Sequence, residues 1–199
     1  MYPRLTSELR IRNMRVRNRI MLAAMGTELC ELDGCCAEPL IAYYEARARG
    51  GTGLVMLETT SVSWPAGASM PRMVGISGEA QLTGLQAFTE RMHRHGAMAG
   101  VQLNHCGKVA TEDRVQGRPL LVPSVPHFDK SDMFEALTRT EIASFVGGAS
   151  QPVYQVMTQQ DIDWLVGQFA AAAALAVRAG FDCVEIHAGH GYVLSSFLS

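Results

Sequence analysis

Four short apolar runs separated by amphipathic stretches set the limits on how this chain can fold. Residues 19–25 (RIMLAAM), 53–58 (GLVMLE), 97–103 (AMAGVQL) and 183–187 (CVEIH) have strand length. Their apolar character is continuous rather than alternating, as expected of strands covered on both faces. Between them lie helical patterns. Residues 39–49 (PLIAYYEARAR) open near Pro39 and close at Gly50 and Gly51, the punctuation a helix uses. Residues 79–95 carry Leu82, Leu85, Phe88 and Met92 on one stripe before Gly96. Residues 159–179 are the strongest helix candidate: Ile162, Leu165, Val166, Phe169, Ala173 and Ala176 follow the 3.6 period. Thr158 and Asp161 make an approximate capping pair, and Gly180 ends the segment.

The order strand, helix, strand, helix, strand, long insert, helix, strand predicts a parallel α/β architecture. Alternation alone leaves a doubly wound sheet and a TIM barrel both open. No GxGxxG or GxxxxGK[ST] follows any strand, which weighs against a Rossmann or P-loop domain. Ahead of the first strand, residues 9–20 predict a small hairpin with a turn near Arg12 and Asn13. Residues 107–157 differ in kind, with Pro119, Pro123, Pro126, Pro152 and the Gly147–Gly148 pair. We expect a lid-like excursion over one end of the sheet, with local helix around residues 130–137.

Composition excludes several classes. The 199 residues are 48% hydrophobic and 18% charged, with 17 basic against 19 acidic side chains. That balance argues against disorder and against a polyanion binder, so no nucleic acid partner is expected. The longest apolar run, residues 169–177, is far below the ~20 needed to span a bilayer, so no membrane is expected either. Arg4, Glu8, Arg10 and Arg12 interrupt the first dozen residues, unlike a secretory leader. A cytoplasmic protein is the expectation. Cys30, Cys35, Cys36, Cys106 and Cys183 form no CxxC pair, which predicts free thiols.

Chemistry gathers where the strands end. The four runs exit into Ala24-Met25-Gly26-Thr27, Glu58-Thr59-Thr60-Ser61, Gln102-Leu103-Asn104-His105 and His187-Ala188-Gly189-His190-Gly191-Tyr192. In α/β folds that edge is where ligands bind. His187 and His190 suit metal ligation, with His105 or Cys106 as further ligands. HxxH alone is a weak metal signal and no carboxylate is placed as a further ligand; the alternative is hydrogen bonding to a developing oxyanion, with Tyr192 as a nearby proton donor. The plain alternative is two satisfied histidines at a strand end. Gly189 and Gly191 weigh against it, because they allow close approach of backbone.

The segments IRNMRVRNRI, AAMGTEL, DG at 33–34, IAYYEARARGG, GLVMLETTSV, HRHGAMAGVQLNHCGK and AGFDCVEIHAGHGYVLSSFLS together resemble the old yellow enzyme family. These are FMN-dependent ene-reductases on a TIM (β/α)8 barrel, also called NADH:flavin oxidoreductases. The resemblance runs from about residue 5 to the end and lapses within 110–157. It implies that residues 1–199 are the N-terminal half of a TIM barrel, about four parallel strands with flanking helices after a small hairpin. It implies FMN as cofactor, with Ala24, Met25 and Gly26 along the flavin, a backbone contact at Thr59, and the Gln102 side chain on the pyrimidine edge. Ala24 stands where the family usually has Pro. Gly26 stands where other members carry Thr or Cys, so tuning of the flavin there falls to backbone or to Thr27. The resemblance makes His187 and His190 the pair that grips a substrate carbonyl, His187 also bordering the cofactor, and Tyr192 the proton donor.

The implied reaction is reduction of the C=C bond of an enone or enoyl thioester, with NADH or NADPH as electron source. The MGTEL and QLNHCGK spellings lean toward the iron–sulfur branch, whose 4Fe-4S and FAD sites would lie in a longer parent protein. In the family the FMN phosphate sits on loops after the seventh and eighth strands, and a flavin-contacting Arg comes from the fifth or sixth. Four strands leave both sheet edges unpaired, which invites a homo-oligomer or a missing C-terminal half. Two other readings stand beside the ene-reductase: a truncated, non-catalytic fragment, and a metal-dependent TIM-type hydrolase using His105, His187 and His190.

Overall fold

The computed structural model describes residues 2–126 and 152–199. A short helix α1 (Pro3–Thr6) leads into the expected hairpin of β1 (Leu9–Ile11) and β2 (Met14–Val16). Leu9 pairs with Val16 and Ile11 with Met14. Arg12 turns the chain at φ 52°, a left-handed conformation that non-glycine residues seldom adopt.

The main sheet begins with β3 (Met21–Leu22), much shorter than the apolar run 19–25 suggests. It continues through α2 (Glu38–Arg49), β4 (Leu54–Ser61), the two-residue β5 (Val74–Gly75), α3 (Glu79–Arg94) and β6 (Met98–Asn104). The excursion follows, and its described part is more ordered than its proline content predicts. It holds a 3-10 turn (Gly107–Val109), α4 (Thr111–Val115), β7 (Leu120–Val122) and β8 (Tyr154–Val156), the last two paired in parallel. The helix expected at residues 130–137 and the Gly147–Gly148 pair lie outside the described residues. The chain then forms α5 (Gln159–Arg178), β9 (Cys183–Ile186) and α6 (Val193–Leu198). The cap of α5 is a full reciprocal box: the Thr158 hydroxyl accepts from Asp161 N at 3.2 Å, and Asp161 accepts from Thr158 N at 2.8 Å.

Strand order settles the architecture. The main sheet runs β3-β4-β6-β9, all parallel, with β5 joined to the end of β4. Each strand lies beside its predecessor with no reversal, whereas a doubly wound sheet turns back at a switch point. The helices also keep to one face. Val55, Leu57, Ala99, Val101 and Leu103 pack with Tyr44 of α2, Phe88 of α3 and Leu175 of α5 in one cluster. Their alternates Leu54 and Met56 pack instead with Val16 and Met14 of the hairpin, Met98 and Cys183. A sheet with helices outside and a side-chain layer inside is the wall of a (β/α)8 barrel, here four strands wide and unclosed. On the outer face of β9, Val184 and Ile186 are 42% and 57% exposed. Beside them runs an apolar groove of about 500 Å³ lined by residues such as Ile162, Val166, Phe169 and Phe197.

Candidate active site

The carboxyl end of β9 is shaped by its exit turn. His187 N still bonds to Leu103 O at 3.0 Å, which extends the ladder one residue past the strand. The turn then doubles back through His190 at φ 56° and Gly191 at φ 72°. A left-handed, non-glycine His190 is the kind of local strain that structures keep where they need a side chain aimed. Ser195 and Ser196 staple the turn, Ser195 Oγ accepting from Gly191 N and Ser196 Oγ donating to Gly191 O. Val193 N bonds to His105 O at 3.1 Å, docking the turn on the loop after β6.

This geometry gathers His187, His190 and Tyr192. The His187 and Tyr192 rings are 4.8 Å apart, His187 and His190 5.0 Å, and His190 and Tyr192 6.3 Å, all edge to face. Gly189 N donates to His187 Nδ1 at 3.2 Å, so the neutral ring carries its proton on Nε2. His187 Nε2 and His190 Nδ1 are 3.1 Å apart, and a hydrogen bond from the first to the second leaves the His190 Nε2–H as a further donor. Burial lowers the His187 pKa, His190 lowers it further, and Glu185 opposes both. The neutral form of His187 is thereby favoured, and the two imidazoles together suit an oxygen that gains negative charge.

Tyr192 is half-buried against the loops after β4 and β6, in a cluster with Met70, Met73 and Cys106. Burial raises its pKa, nearby Cys106 adds to the shift, and a hydrogen bond with Ser69 opposes it. The phenol therefore keeps its proton across the neutral range.

Inside the sheet, Thr59 Oγ1 donates to Gln102 Oε1 at 2.6 Å, and Gln102 Nε2 donates to Glu185 Oε1. On the next loop Ala24 packs against Val16, Leu54 and Met56, while Met25 is 65% exposed. A Cβ on Gly26 would fall 2.6 Å from Met70 Cε, so that methionine occupies the space a side chain at 26 would take. The Thr27 hydroxyl donates to Glu58 at 2.7 Å, so only its lone pairs remain for a further partner.

His105 does not join the pair. Its Nδ1 accepts from Gly107 N at 3.1 Å, and its ring packs on Gly67 and Trp164. Burial pushes its pKa down to about 4. Among the described residues no group of three His, Cys, Asp or Glu side chains could hold a metal ion. The hydrolase reading loses its third ligand.

Of three further residues, sequence reasoning placed Glu58 at a strand end without a role and missed Glu185 and Met70. Two of them left a signal, a carboxylate inside an otherwise apolar strand. The third became visible only through the glycine it covers.

Known proteins share both sequence and fold with this chain. The sequence profile of the NADH:flavin oxidoreductase / NADH oxidase family matches residues 5–199. An NADH oxidase of Thermoanaerobacter brockii is 34% identical over 199 residues, all of this chain and 28% of that protein. An NADPH dehydrogenase of Halalkalibacterium halodurans is 32% identical over 98% of this chain and 51% of its own length. The crystal structure of old yellow enzyme from Pichia sp. AKU4542 superposes with a TM-score of 0.81 at 25% identity, over 98% of this chain and 48% of that one. The chain thus spans about half the length of some curated relatives and less of others.

Proposed function

This chain belongs to the NADH:flavin oxidoreductase / NADH oxidase family, and from that premise we propose that it forms the ring-binding and substrate-binding part of an FMN-dependent, NAD(P)H-driven ene-reductase. The residues present fit a flavin ring. Gly26 brings backbone without a side chain to the rim. Gln102 keeps one N–H and one carbonyl lone pair beyond its bonds to Thr59 and Glu185. Ala24, Met25, Gly26, Thr59, Gln102 and His187 would hold that ring. When bound, FMN supplies the redox chemistry, taking a hydride from NADH or NADPH and returning it to the β-carbon of an enone or enoyl thioester.

The protein's own contribution is orientation and proton handling. His187 and His190 hold the substrate carbonyl oxygen through their Nε2 protons. An oxygen entering between the rings takes the His187 proton that now faces His190, exchanging one hydrogen bond for another. The Tyr192 hydroxyl delivers a proton to the α-carbon, and Ser69 sits beside it as a hydrogen-bond partner. The observation that carries this reading is the edge-to-face cluster of His187, His190 and Tyr192, one level above Gln102 and Glu185. A 4Fe-4S cluster and FAD would belong to sequence beyond this chain. The open β9 edge suits self-association or further barrel strands.

Chemical-shift mapping tests the proposal without turnover. A cyclic enone should perturb His187, His190 and Tyr192, and FMN should perturb Gly26, Thr59 and Gln102. An enone that leaves both imidazoles unmoved overturns the assignment.

A further inference from the structure

Three neighbouring strands place one polar side chain each on the same level of the sheet's inner face. Thr59 of β4 is the register partner of Gln102 of β6, and Gln102 is that of Glu185 of β9. The register of β4 shifts between Leu57 and Thr59, so Glu58 is an extra residue buried toward Tyr44. Without that bulge the next residues would exchange faces and Thr59 would turn to the helices.

The three side chains are joined in sequence, Thr59 to Gln102 and Gln102 to Glu185. The two ends of this chain are not equivalent. A threonine hydroxyl can donate or accept, so Thr59 tolerates either orientation of the Gln102 amide. A carboxylate only accepts, so it demands the NH2 end. We propose that Glu185 is a positioning residue that locks the Gln102 amide with its NH2 toward β9 and its carbonyl toward β4. The lock rests on the reading of Gln102 as the ligand of a flavin's pyrimidine edge. That edge is an imide, with a carbonyl beside an N–H. The one N–H and one lone pair left on Gln102 match it as acceptor and donor in a fixed order. Glu185 thereby selects which way round the ring edge is read.

The test uses the flavin-free chain and nuclear magnetic resonance. Two readouts are taken: hydrogen exchange of the Gln102 side-chain amide, and the titration of His187, which faces Glu185, His190 and Tyr192. Glu185→Ala removes the acceptor and should speed Gln102 amide exchange at least about tenfold, the loss of one charge-assisted hydrogen bond. Glu185→Gln keeps an acceptor oxygen and should restore slow exchange. The His187 midpoint should fall in both variants, because both remove the charge that opposes its depression. If Glu185→Ala fails to fold by circular dichroism, Glu185→Asp, whose carboxylate is retracted by one methylene, takes its place with the same expectation for exchange. Equal Gln102 exchange in the wild type and the acceptor-deficient variant overturns the proposal. Failure of the flavin reading looks different: the lock is present, and added FMN leaves the Gln102 amide unchanged.

Discussion

Glu58 accepts the Thr27 hydroxyl at 2.7 Å and so ties the inner strand β4 to the loop that follows β3. The same oxygen takes Thr27 N and the Tyr44 phenol, each at 3.1 Å, while the other oxygen has no partner among the described residues. Burial raises the Glu58 pKa, against the hydrogen bonds from Thr27 and Tyr44. One buried carboxyl thus holds Gly26 and Thr27 at the rim.

Removing it should cost stability in proportion to the donors it strands. Glu58→Ala leaves Thr27 and Tyr44 without an acceptor and is expected to cost about 2–4 kcal/mol in urea unfolding. Glu58→Gln keeps one acceptor oxygen and should cost less. Equal, negligible losses in both would show that the loop is held by other contacts.

His105 gives the fold a pH dependence. Its folded pKa of about 4 lies below the ordinary value of 6.5, so the unfolded chain binds the proton more readily between them. The stabilisation is complete above pH 6.5 and is lost as pH falls toward 4. Between pH 7 and pH 5 the loss should be about 2 kcal/mol. Glu58 acts with the opposite sign, its raised pKa favouring the fold in acid. Comparison with His105→Asn, which keeps an acceptor for Gly107 N, isolates the histidine. The variant's urea midpoint should fall less over the same interval; an identical fall would remove His105 as the cause.

Gly26 and Met70 should behave as a complementary pair. A side chain at 26 meets the flexible end of Met70 at 2.6 Å. Gly26→Thr is therefore expected to lower the melting temperature by several degrees, and adding Met70→Ala should recover part of it, a coupling of roughly 0.5–3 kcal/mol. Strict additivity would place Met70 elsewhere in solution.

With FMN bound, Tyr192→Phe should slow reduction of an enone by roughly 10²-fold or more, the usual worth of a positioned proton donor. The rate at which NADH or NADPH reduces the bound flavin should stay unchanged. A matched fall in both half-reactions would mean that Tyr192 supports the site rather than supplying the proton.

Much of this was legible in the sequence because the relevant signals are local. The 3.6 period of residues 159–179 and the Thr158–Asp161 pair marked α5, and the HAGHGY spelling put two imidazoles and a phenol on one short turn. The unread part depends on register and distance. The bulge at Glu58 shifts β4 by one residue, so no period-2 pattern shows Thr59 facing inward. Glu185 matters through Gln102, 83 residues away. Residues 19–25 looked like a full strand, yet only Met21 and Leu22 pair with β4. Composition alone could not have separated pairing residues from apolar rim.

Under the proposed reading, Gly26, Thr59 and Gln102 form the ring-binding edge of a flavin site, and the affinity of the described residues for a flavin comes from the ring. Parallel fluorescence titrations with FMN and riboflavin separate the contribution of the ring from that of the phosphate. Even one charge-assisted bond to a phosphate is worth about 1.5–3 kcal/mol, at least about tenfold in affinity. Both flavins are expected to bind weakly, with dissociation constants within about threefold of each other, and Gln102→Leu should weaken both. Tight, stoichiometric FMN binding with riboflavin far weaker, or no binding of either flavin, would contradict that reading.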